Sequence, residues 1–239
     1  VYNPGETNTS DGRGGIVLTV YVGTYAPGRA EGIYIYRMDA SSGALELSSK
    51  APQVDSPWFL ALDPQQRHLY AVEEVSRPPG GAGGTVSAFS SRQETGELSY
   101  LNEQPAKGSV PCQLIVDGTG HYVLVANYGA GSVSVLPILA DGRLGEATVA
   151  AQHEGSSVDA ERQEGPHAHS VTMDPANRYV FAAERGIDRL MVYGLDQAQG
   201  GLRPDGEVRT KAGAGPRHFS FHPVGKLACL INELDSTLT

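Results

Sequence analysis

The chain has 239 residues, of which 40% are hydrophobic, and its 27 acidic and 18 basic side chains give a formal net charge of −9. The hydrophobic fraction is sufficient for a folded core and excludes a disordered chain. The acidic balance argues against a groove that neutralises nucleic-acid phosphates, and no apolar run approaches the roughly 18 residues of a membrane span. We therefore expect no nucleic-acid or membrane partner, and any bound anion must be held by a local group of cations.

Residues 1–17 are predicted to form a polar lead-in that precedes the folded part. Residues 1–15 are rich in Gly, Asn, Ser and Thr, and they lack the apolar stretch of about 7–15 residues that a signal peptide has. The chain begins at Val1 without an initiator methionine. The sequence therefore leaves open whether a leader peptide was removed or was not recorded.

Four similar segments recur along the rest of the chain at intervals of about 50 residues. Each is an extended stretch that ends in Asp-Pro, Asp-Gly or His-Pro, at Asp63, Asp117, Asp174 and His222. A second β-rich stretch follows each turn and carries a polar residue ten positions beyond it, at Glu73, Asn127, Glu184 and Asn232. Two short β-rich runs joined by such a turn are typical of a β-hairpin.

A third and a fourth strand are predicted in each repeat unit. Third strands are predicted at residues 85–90, 132–136 and 189–193, a fourth strand at 98–102, and an equivalent pair upstream at 33–37 and 44–48. Four antiparallel strands in each unit, without helical periodicity, are typical of a β-propeller blade. A β-helix is the alternative, but its rungs are much shorter.

The sequence therefore predicts an all-β fold in which residues 18–239 form β-propeller blades. This length accommodates about four and a half to five blades. An open arc of blades leaves an apolar edge exposed, which folded proteins avoid. We therefore expect the chain to be part of a longer one whose ring closes beyond Thr239.

The hairpins bring one group of polar residues to a shared rim. Because the start of a first strand lies beside the end of its second strand, residues 166–169 and 216–218 join the residues that close the second strands. The innermost strands line the channel, so this group forms a concave polar site at its mouth. Its members are His167, His169, Arg185, Arg217, His218 and Glu233, with Asn127 and Asn232 at the strand ends. The connection 150–165 crosses the same rim and adds His153 and Arg162.

The cysteines and the repeated polar residues are expected to be structural. Cys112 and Cys229 are too few for a disulfide framework, and both lie in apolar strands, so we expect buried free thiols. The oxygens of Glu73, Asn127, Glu184 and Asn232 resemble a calcium cage, but the blade repeat already explains their recurrence. We therefore predict no metal and no cofactor.

Six motifs, in the same order along nearly the whole chain, carry a family resemblance. They are Tyr21-Val-Gly-Thr-Tyr25, Asn127-Tyr-Gly-Ala-Gly-Ser-Val-Ser-Val135, Gly165-Pro-His-Ala-His-Ser170, Asp188-Arg-Leu190, Gly213-Ala-Gly-Pro-Arg-His-Phe-Ser-Phe-His-Pro223 and Ile231-Asn-Glu-Leu234. With these motifs the chain resembles the seven-bladed lactonase propellers. That family includes one type of 6-phosphogluconolactonase and the fungal carboxymuconate-lactonizing enzymes, and the last two motifs are the most specific.

The resemblance implies a catalytic group of His169, Arg217 and Glu233, as in the lactonizing branch of the family. A later Arg of that pattern would lie beyond Thr239. A histidine near its ordinary pKa of about 6.5 suits proton transfer at neutral pH. We therefore expect His169 to accept the proton of the attacking water and Arg217 to hold the oxyanion or a phosphate. Glu233 orients them or acts as the base itself, and substrate contacts are expected from His167, Arg185, His218, Asn127 and Asn232.

The function that the resemblance implies is hydrolysis of an anionic sugar lactone, 6-phosphogluconolactone to 6-phosphogluconate in the pentose phosphate route. A muconate-type cycloisomerase is an alternative, because the same residues can transfer a proton next to a carboxylate. A propeller that only binds a ligand or a protein is another, because the fold hosts unrelated functions. A pentose phosphate enzyme would be cytoplasmic, and an exported or periplasmic location is the alternative. The oligomeric state is not visible in the sequence.

Overall fold

The computed structural model describes residues 9–10, 16–25, 32–73, 83–223 and 227–239. The regular structure of these residues is all β, in four four-stranded sheets and one three-stranded sheet. The predicted all-β propeller, with about four and a half to five blades, is confirmed. Within the described ranges, no helix has the length and apolar character needed to cross a membrane. Most of the predicted lead-in, residues 1–8 and 11–15, lies outside the described residues.

The five antiparallel sheets follow one another along the chain, and we number them as blades 1 to 5. Blade 1 contains β1 (Thr9–Ser10), β2 (Ile16–Val22), β3 (Ile33–Asp39) and β4 (Leu45–Ala51). Blade 2 contains β5 (Pro57–Leu62), β6 (His68–Glu73), β7 (Thr85–Ser91) and β8 (Leu98–Pro105). Blade 3 contains β9 (Pro111–Val116), β10 (Tyr122–Asn127), β11 (Ser132–Pro137) and β12 (Val149–Gln152). Blade 4 contains β13 (Ala168–Met173), β14 (Tyr179–Glu184), β15 (Arg189–Asp196) and β16 (Gly201–Arg209), and blade 5 contains β17 (Pro216–Phe221), β18 (Ala228–Asn232) and β19 (Thr237–Leu238).

The hydrophobic cores lie between consecutive blades. Every residue of β10 is buried, because both faces of this strand are covered. Val123 and Val125 belong to the core shared with blade 2, whereas Leu124 and Ala126 belong to the core shared with blade 4. Alternate residues of a strand point to opposite faces, so a strand between two blades needs a continuous apolar run.

The first strands of blades 2 to 5 form the inner wall of the arc. β5 contacts β9, β9 contacts β13, and β13 contacts β17. Each of these strands is also hydrogen-bonded to the second strand of its own blade. The start of each first strand therefore lies beside the end of its second strand on one rim of the channel.

Aspartate side chains fix the turns between the first and second strands at the opposite rim. Oδ1 of Asp117 accepts the backbone N–H groups of His121 and Tyr122, both at 2.8 Å. Its Oδ2 accepts hydrogen bonds from Thr119 and from Nδ2 of Asn177 in the next blade. Burial alone would raise the pKa of the Asp117 carboxyl, but these hydrogen bonds outweigh burial and lower it. Asp63 and Asp174 accept the equivalent backbone N–H groups in blades 2 and 4. The aspartate anchors seen in the sequence therefore lock their hairpins and, at Asp117, join two blades.

The two cysteines differ in burial. Both are free thiols, and Cys112 is buried as expected, but Cys229 is exposed. In β18, Leu230 packs toward blade 4, whereas Cys229 and Ile231 lie on the other face, which the described residues leave uncovered. The prediction of a buried Cys229 does not hold in this chain, because no neighbouring blade among the described residues covers its face of β18.

Replacing Asp117 with Ala is expected to lower the free energy of unfolding by about 2–4 kcal/mol, because it leaves several buried N–H donors without an acceptor. Asp117→Asn should lower it less, since Oδ1 remains an acceptor. Asp141→Ala, in an exposed turn where the carboxylate binds Arg143, is the control and should change little. Urea unfolding of the three variants measures the difference.

The Asp117 contribution is also expected to depend on pH. Because its pKa is lower in the folded chain than in the unfolded one, the stabilisation is present above the unfolded value of about 4 and is lost as the pH falls through the folded value. The stability gap between wild type and Asp117→Ala should therefore narrow in acid. If Asp117→Ala and Asp141→Ala lower the free energy of unfolding by the same amount at neutral pH, this explanation of the turns is contradicted.

Candidate active site

A β-bulge at the start of the first strand turns one side chain of each of blades 2 to 5 toward the channel. In blade 2, Pro57 pairs with Glu73 and Phe59 pairs with Val72, so Trp58 between them has no partner. The same shift recurs in the three following blades and leaves Cys112, His169 and Arg217 unpaired. A bulge locally re-aims the side chain of its extra residue, and all four unpaired residues line one cavity.

A second set of cavity residues follows directly after the second strands. The position is occupied by Tyr128 after β10, Arg185 after β14 and Glu233 after β18. The backbone N–H of Tyr128 donates to Val110, and that of Arg185 donates to His167. The hairpin therefore continues beyond the last strand residue and carries these side chains to the rim.

The cavity has a volume of about 400 Å³ and two chemically different walls. Tyr25, Trp58 and Phe59 form an aromatic wall, in which the rings of Tyr25 and Trp58 stack at 4.9 Å. The other wall carries the charged and polar side chains Tyr128, Arg162, His169, Arg185, Arg217, His218 and Glu233. The cavity can thus contact an apolar face and a polar or anionic edge of the same ligand.

The carboxylate of Glu233 is shared by three arginines. Its Oε1 accepts a hydrogen bond from Nη2 of Arg162 at 2.7 Å. Its Oε2 lies 3.3 Å from Nε of Arg185 and 3.3 Å from Nε of Arg217. Three guanidinium groups around one carboxylate leave an excess of positive charge, so this part of an acidic chain attracts anions.

Arg185 is held rigidly in the cavity wall. Its side chain is only 2% exposed, Nη1 donates a hydrogen bond to the hydroxyl of Tyr128, and the guanidinium lies 5.5 Å from the centre of the Tyr128 ring. A guanidinium over an aromatic face gains from the ring quadrupole. Arg185 therefore supplies a fixed positive charge beneath Glu233.

His169 is a neutral hydrogen-bond acceptor for Arg217. The Nε–H group of Arg217 donates to Nε2 of His169 at 3.0 Å, and Nδ1 is buried with no hydrogen-bond partner among the described residues. Burial, followed by the charges of Arg217 and His218, lowers the pKa of His169 to about 4. The expected pKa near the ordinary value is therefore wrong, because the imidazole is desolvated and faces a guanidinium.

Arg217 and His218 present their free polar groups to the cavity. Nε of Arg217 is engaged by His169 and Glu233, while 45% of the side chain is exposed, and its Nη atoms bind none of the described residues. The His218 ring lies 5.3 Å from that of His169 and is exposed. Burial and the charge of Arg217 lower the pKa of His218. Two neutral imidazoles thus flank a guanidinium whose outer edge is open to a ligand.

Comparison with known proteins gives the family of the chain. Residues 19–239 match the model of the lactonase family with a 7-bladed β-propeller. A 6-phosphogluconolactonase of Bacillus subtilis (strain 168) is 38% identical over 216 residues, which are 90% of this chain and 60% of the relative. The chain belongs to the seven-bladed β-propeller lactonase family.

Solved structures of similar proteins agree with this membership. The periplasmic gluconolactonase PpgL of Pseudomonas aeruginosa superimposes with a TM-score of 0.85 at 32% identity, over 93% of this chain and 63% of that chain. A Bacteroides fragilis protein superimposes with a TM-score of 0.85 at 34% identity, over the same shares. This member of the lactonase family thus spans less than two thirds of the length of the relatives it matches.

Five of the eight predicted site residues of this lactonase-family chain line the cavity, namely His169, Arg185, Arg217, His218 and Glu233. His167 lies behind it, with its ring stacked on Tyr128 at 4.5 Å and its Nε2 3.1 Å from Glu164. His167 therefore contacts the cavity residue Tyr128, and its own contribution to substrate binding stays a prediction.

Asn127 and Asn232 connect strands within their own blades. Nδ2 of Asn127 donates to Ser134 at 2.8 Å, and Nδ2 of Asn232 donates to Thr237 at 3.0 Å. Glu73, at the same repeat position, accepts a hydrogen bond from Ser87. The contribution of Asn127 and Asn232 to substrate binding stays a prediction. In the described part of the chain, no group of three or more His, Cys, Asp or Glu side chains is arranged to hold a metal ion.

The connection between blades 3 and 4 contributes one residue to the cavity. Arg162 reaches it as expected, but His153 is buried, with Nδ1 bound to Glu184 and Nε2 2.7 Å from the hydroxyl of Tyr193. His153 therefore lies beside Glu184 at this end of β14 but does not face the cavity. The aromatic wall and Tyr128 were not selected from the sequence as site residues, although Tyr128 shares its repeat position with Arg185 and Glu233.

Asp188 holds the loop that carries Arg217 and His218. Its carboxylate accepts the N–H groups of Gly213 and Gly215, both at 2.7 Å. Gly215 has φ of 65°, a conformation that favours glycine, and an added Cβ would lie 2.6 Å from the Leu234 side chain. Blade 4 therefore positions the start of β17 in blade 5.

Replacing Arg217 with Gln is expected to raise the pKa of His169 from about 4 toward its ordinary value, because it removes a positive charge next to the imidazole. The rise should be partial, since burial is the larger cause. Imidazole NMR titration measures both values, with Arg203→Gln, an exposed arginine paired with Asp205, as the control. A wild-type His169 that titrates at its ordinary pKa would contradict the assigned geometry.

Proposed function

We propose that the protein hydrolyses an anionic sugar lactone, with 6-phosphogluconolactone as substrate and 6-phosphogluconate as product. The observation that carries this proposal is Arg217, whose Nε is fixed by His169 and Glu233 while its outer edge faces a cavity with excess positive charge. Such a guanidinium is oriented before the substrate arrives, as transition-state stabilisation requires.

Lactone hydrolysis makes three demands that the cavity can meet. The carbonyl oxygen gains negative charge as water attacks, and Arg217 can donate to it through Nη1 and Nη2. A proton must leave the water, and a neutral imidazole at the cavity can accept one. The anionic group of the substrate needs further cations, which Arg162 and Arg185 supply.

The aromatic wall suits the remaining part of a sugar. The stacked rings of Tyr25 and Trp58 offer an apolar surface to the C–H groups of a sugar ring. The arginines stand on the other wall of a cavity of about 400 Å³, which is within the usual range for small-molecule sites. The cavity therefore offers a sugar ring both an apolar surface and cationic groups.

The names of the relatives support a lactone as the substrate. They differ in whether that lactone carries a phosphate, so the phosphate group is what the experiments must test. The Bacillus subtilis relative is a 6-phosphogluconolactonase, and the Pseudomonas aeruginosa neighbour is a periplasmic gluconolactonase. We propose the phosphorylated substrate because three arginines line the cavity. This substrate places the reaction in carbohydrate metabolism, in the pentose phosphate pathway, and favours a cytoplasmic location.

The activity test uses the full-length protein and 6-phosphogluconolactone generated in situ by glucose 6-phosphate dehydrogenase. We expect wild type to remove the lactone well above the spontaneous rate, with or without EDTA. Arg217→Gln should lower kcat/KM by about 10²–10³, the usual effect of losing an oxyanion donor. Arg203→Gln, an exposed arginine on β16, is the matched control. A folded wild-type protein that leaves the spontaneous rate unchanged would contradict the proposal.

Arg162→Gln tests the phosphate preference separately. The Arg162 side chain is 51% exposed at the cavity and is bound only at Nη2 by Glu233, so its other donors can reach the anionic group. We expect KM for 6-phosphogluconolactone to rise about tenfold, corresponding to roughly 1.4 kcal/mol. The kinetics with unphosphorylated gluconolactone should be unchanged. Equal effects on both lactones would argue against phosphate recognition by Arg162.

A further inference from the structure

The two histidines of the cavity differ in whether they can accept a proton. In neutral imidazole, one ring nitrogen carries a proton and the other carries the lone pair. In His169 the lone pair of Nε2 already accepts the Nε–H group of Arg217, and Nδ1 is buried. A water molecule in the cavity therefore has no free lone pair of His169 to approach.

His218 has the opposite arrangement. Its ring lines the cavity, and it makes no hydrogen bond or ion pair with the described residues, which leave its face of blade 5 uncovered. It directly follows Arg217 on β17, where the bulge ends and pairing resumes with Ile231. An acceptor nitrogen on this ring can therefore approach a water molecule that attacks a carbonyl held by Arg217.

We propose that His218 is the general base of the lactone hydrolysis and that His169 is a positioning residue for Arg217. This assignment rests on the proposed function, since it concerns the same reaction. The positioning role of His169 follows from its hydrogen bond to Nε, which fixes the guanidinium plane together with Glu233.

The step is balanced with water as the only co-reactant. A ring nitrogen of His218 takes a proton from water as the water oxygen forms a bond to the lactone carbonyl carbon. The carbonyl electron pair moves to oxygen, where Arg217 stabilises the charge. When the carbonyl re-forms, the ring C–O bond breaks, and the leaving oxygen takes the proton back from His218, which gives the hydroxy acid.

The surroundings of His218 keep it in the form that a base needs. The ring of His169 lies 5.3 Å away, and burial and the charge of Arg217 both lower the pKa of His218. The imidazole is therefore neutral at neutral pH, and a proton that it accepts is readily returned to the leaving oxygen.

The test compares His218→Ala, His218→Gln and His169→Gln in the full-length protein with 6-phosphogluconolactone. We expect both His218 variants to lose about 10²–10⁴-fold in kcat with little change in KM, as for loss of a general base. Added imidazole should restore part of the activity of His218→Ala, since it can enter the space of the missing ring. Added imidazole should not raise the activity of His169→Gln, because this variant still has its base, His218. The carboxamide oxygen of the new Gln can still accept the hydrogen bond of Arg217, so we expect it to keep most of its kcat. His121→Gln, in an exposed turn between β9 and β10, is the control for general effects.

The outcomes show whether the base assignment fails alone or together with the proposed lactonase function. If wild type is active and His218→Gln keeps its kcat while His169→Gln loses it, the base assignment is overturned and the lactonase function stands. An active wild type with no imidazole rescue of a folded His218→Ala also contradicts the base role. If a folded wild type does not hydrolyse the lactone, the proposed function fails, and the base assignment fails with it.

Discussion

The pairing between the start of each first strand and the end of its second strand is the constraint on which the site depends. In blades 2 to 5 this pairing includes a bulge that leaves one residue without a partner, and those residues meet at the channel. The side chain after the second strand reaches the same rim. Blades 3 to 5 therefore each contribute two neighbouring positions to the cavity, and a residue placed there faces the ligand whatever its chemistry.

Glu233 is the charged residue at these rim positions around which the arginines of the cavity gather. Its carboxylate lies near arginines from blade 4, blade 5 and the connection between blades 3 and 4. Three guanidinium groups at one small site repel each other, and a shared carboxylate that is only 26% exposed offsets this repulsion more effectively than a fully solvated one. One charge thus holds together the parts of the cavity that come from different segments, and the positive excess needed for an anionic substrate remains.

The sequence predicted the strands and the rim because both follow from a repeat, but it did not predict the bulges. A bulge shifts the pairing by one residue without changing the hydrophobic pattern that identifies the strand. His167 and His169 illustrate the consequence, since they are two residues apart and only the second is the bulged residue that enters the cavity. His153 stays out of the cavity for another reason: it is buried against Glu184 and Tyr193, which are distant in sequence.

Two adjacent repeat positions have separate tasks. Asn127, Glu184 and Asn232 end their second strands, and the hydrogen bonds that their side chains make are to neighbouring strands and loops inside the fold. The next residues, Tyr128, Arg185 and Glu233, have three different chemistries and all face the cavity. Because the first position fixes the blade, the second can change without loss of the fold, and this explains how one repeated scaffold assembles a site from unlike side chains. The same division holds at the start of β17, where the bulged Arg217 is fixed by His169 and Glu233 while the proposed mechanism assigns proton transfer to His218 beside it.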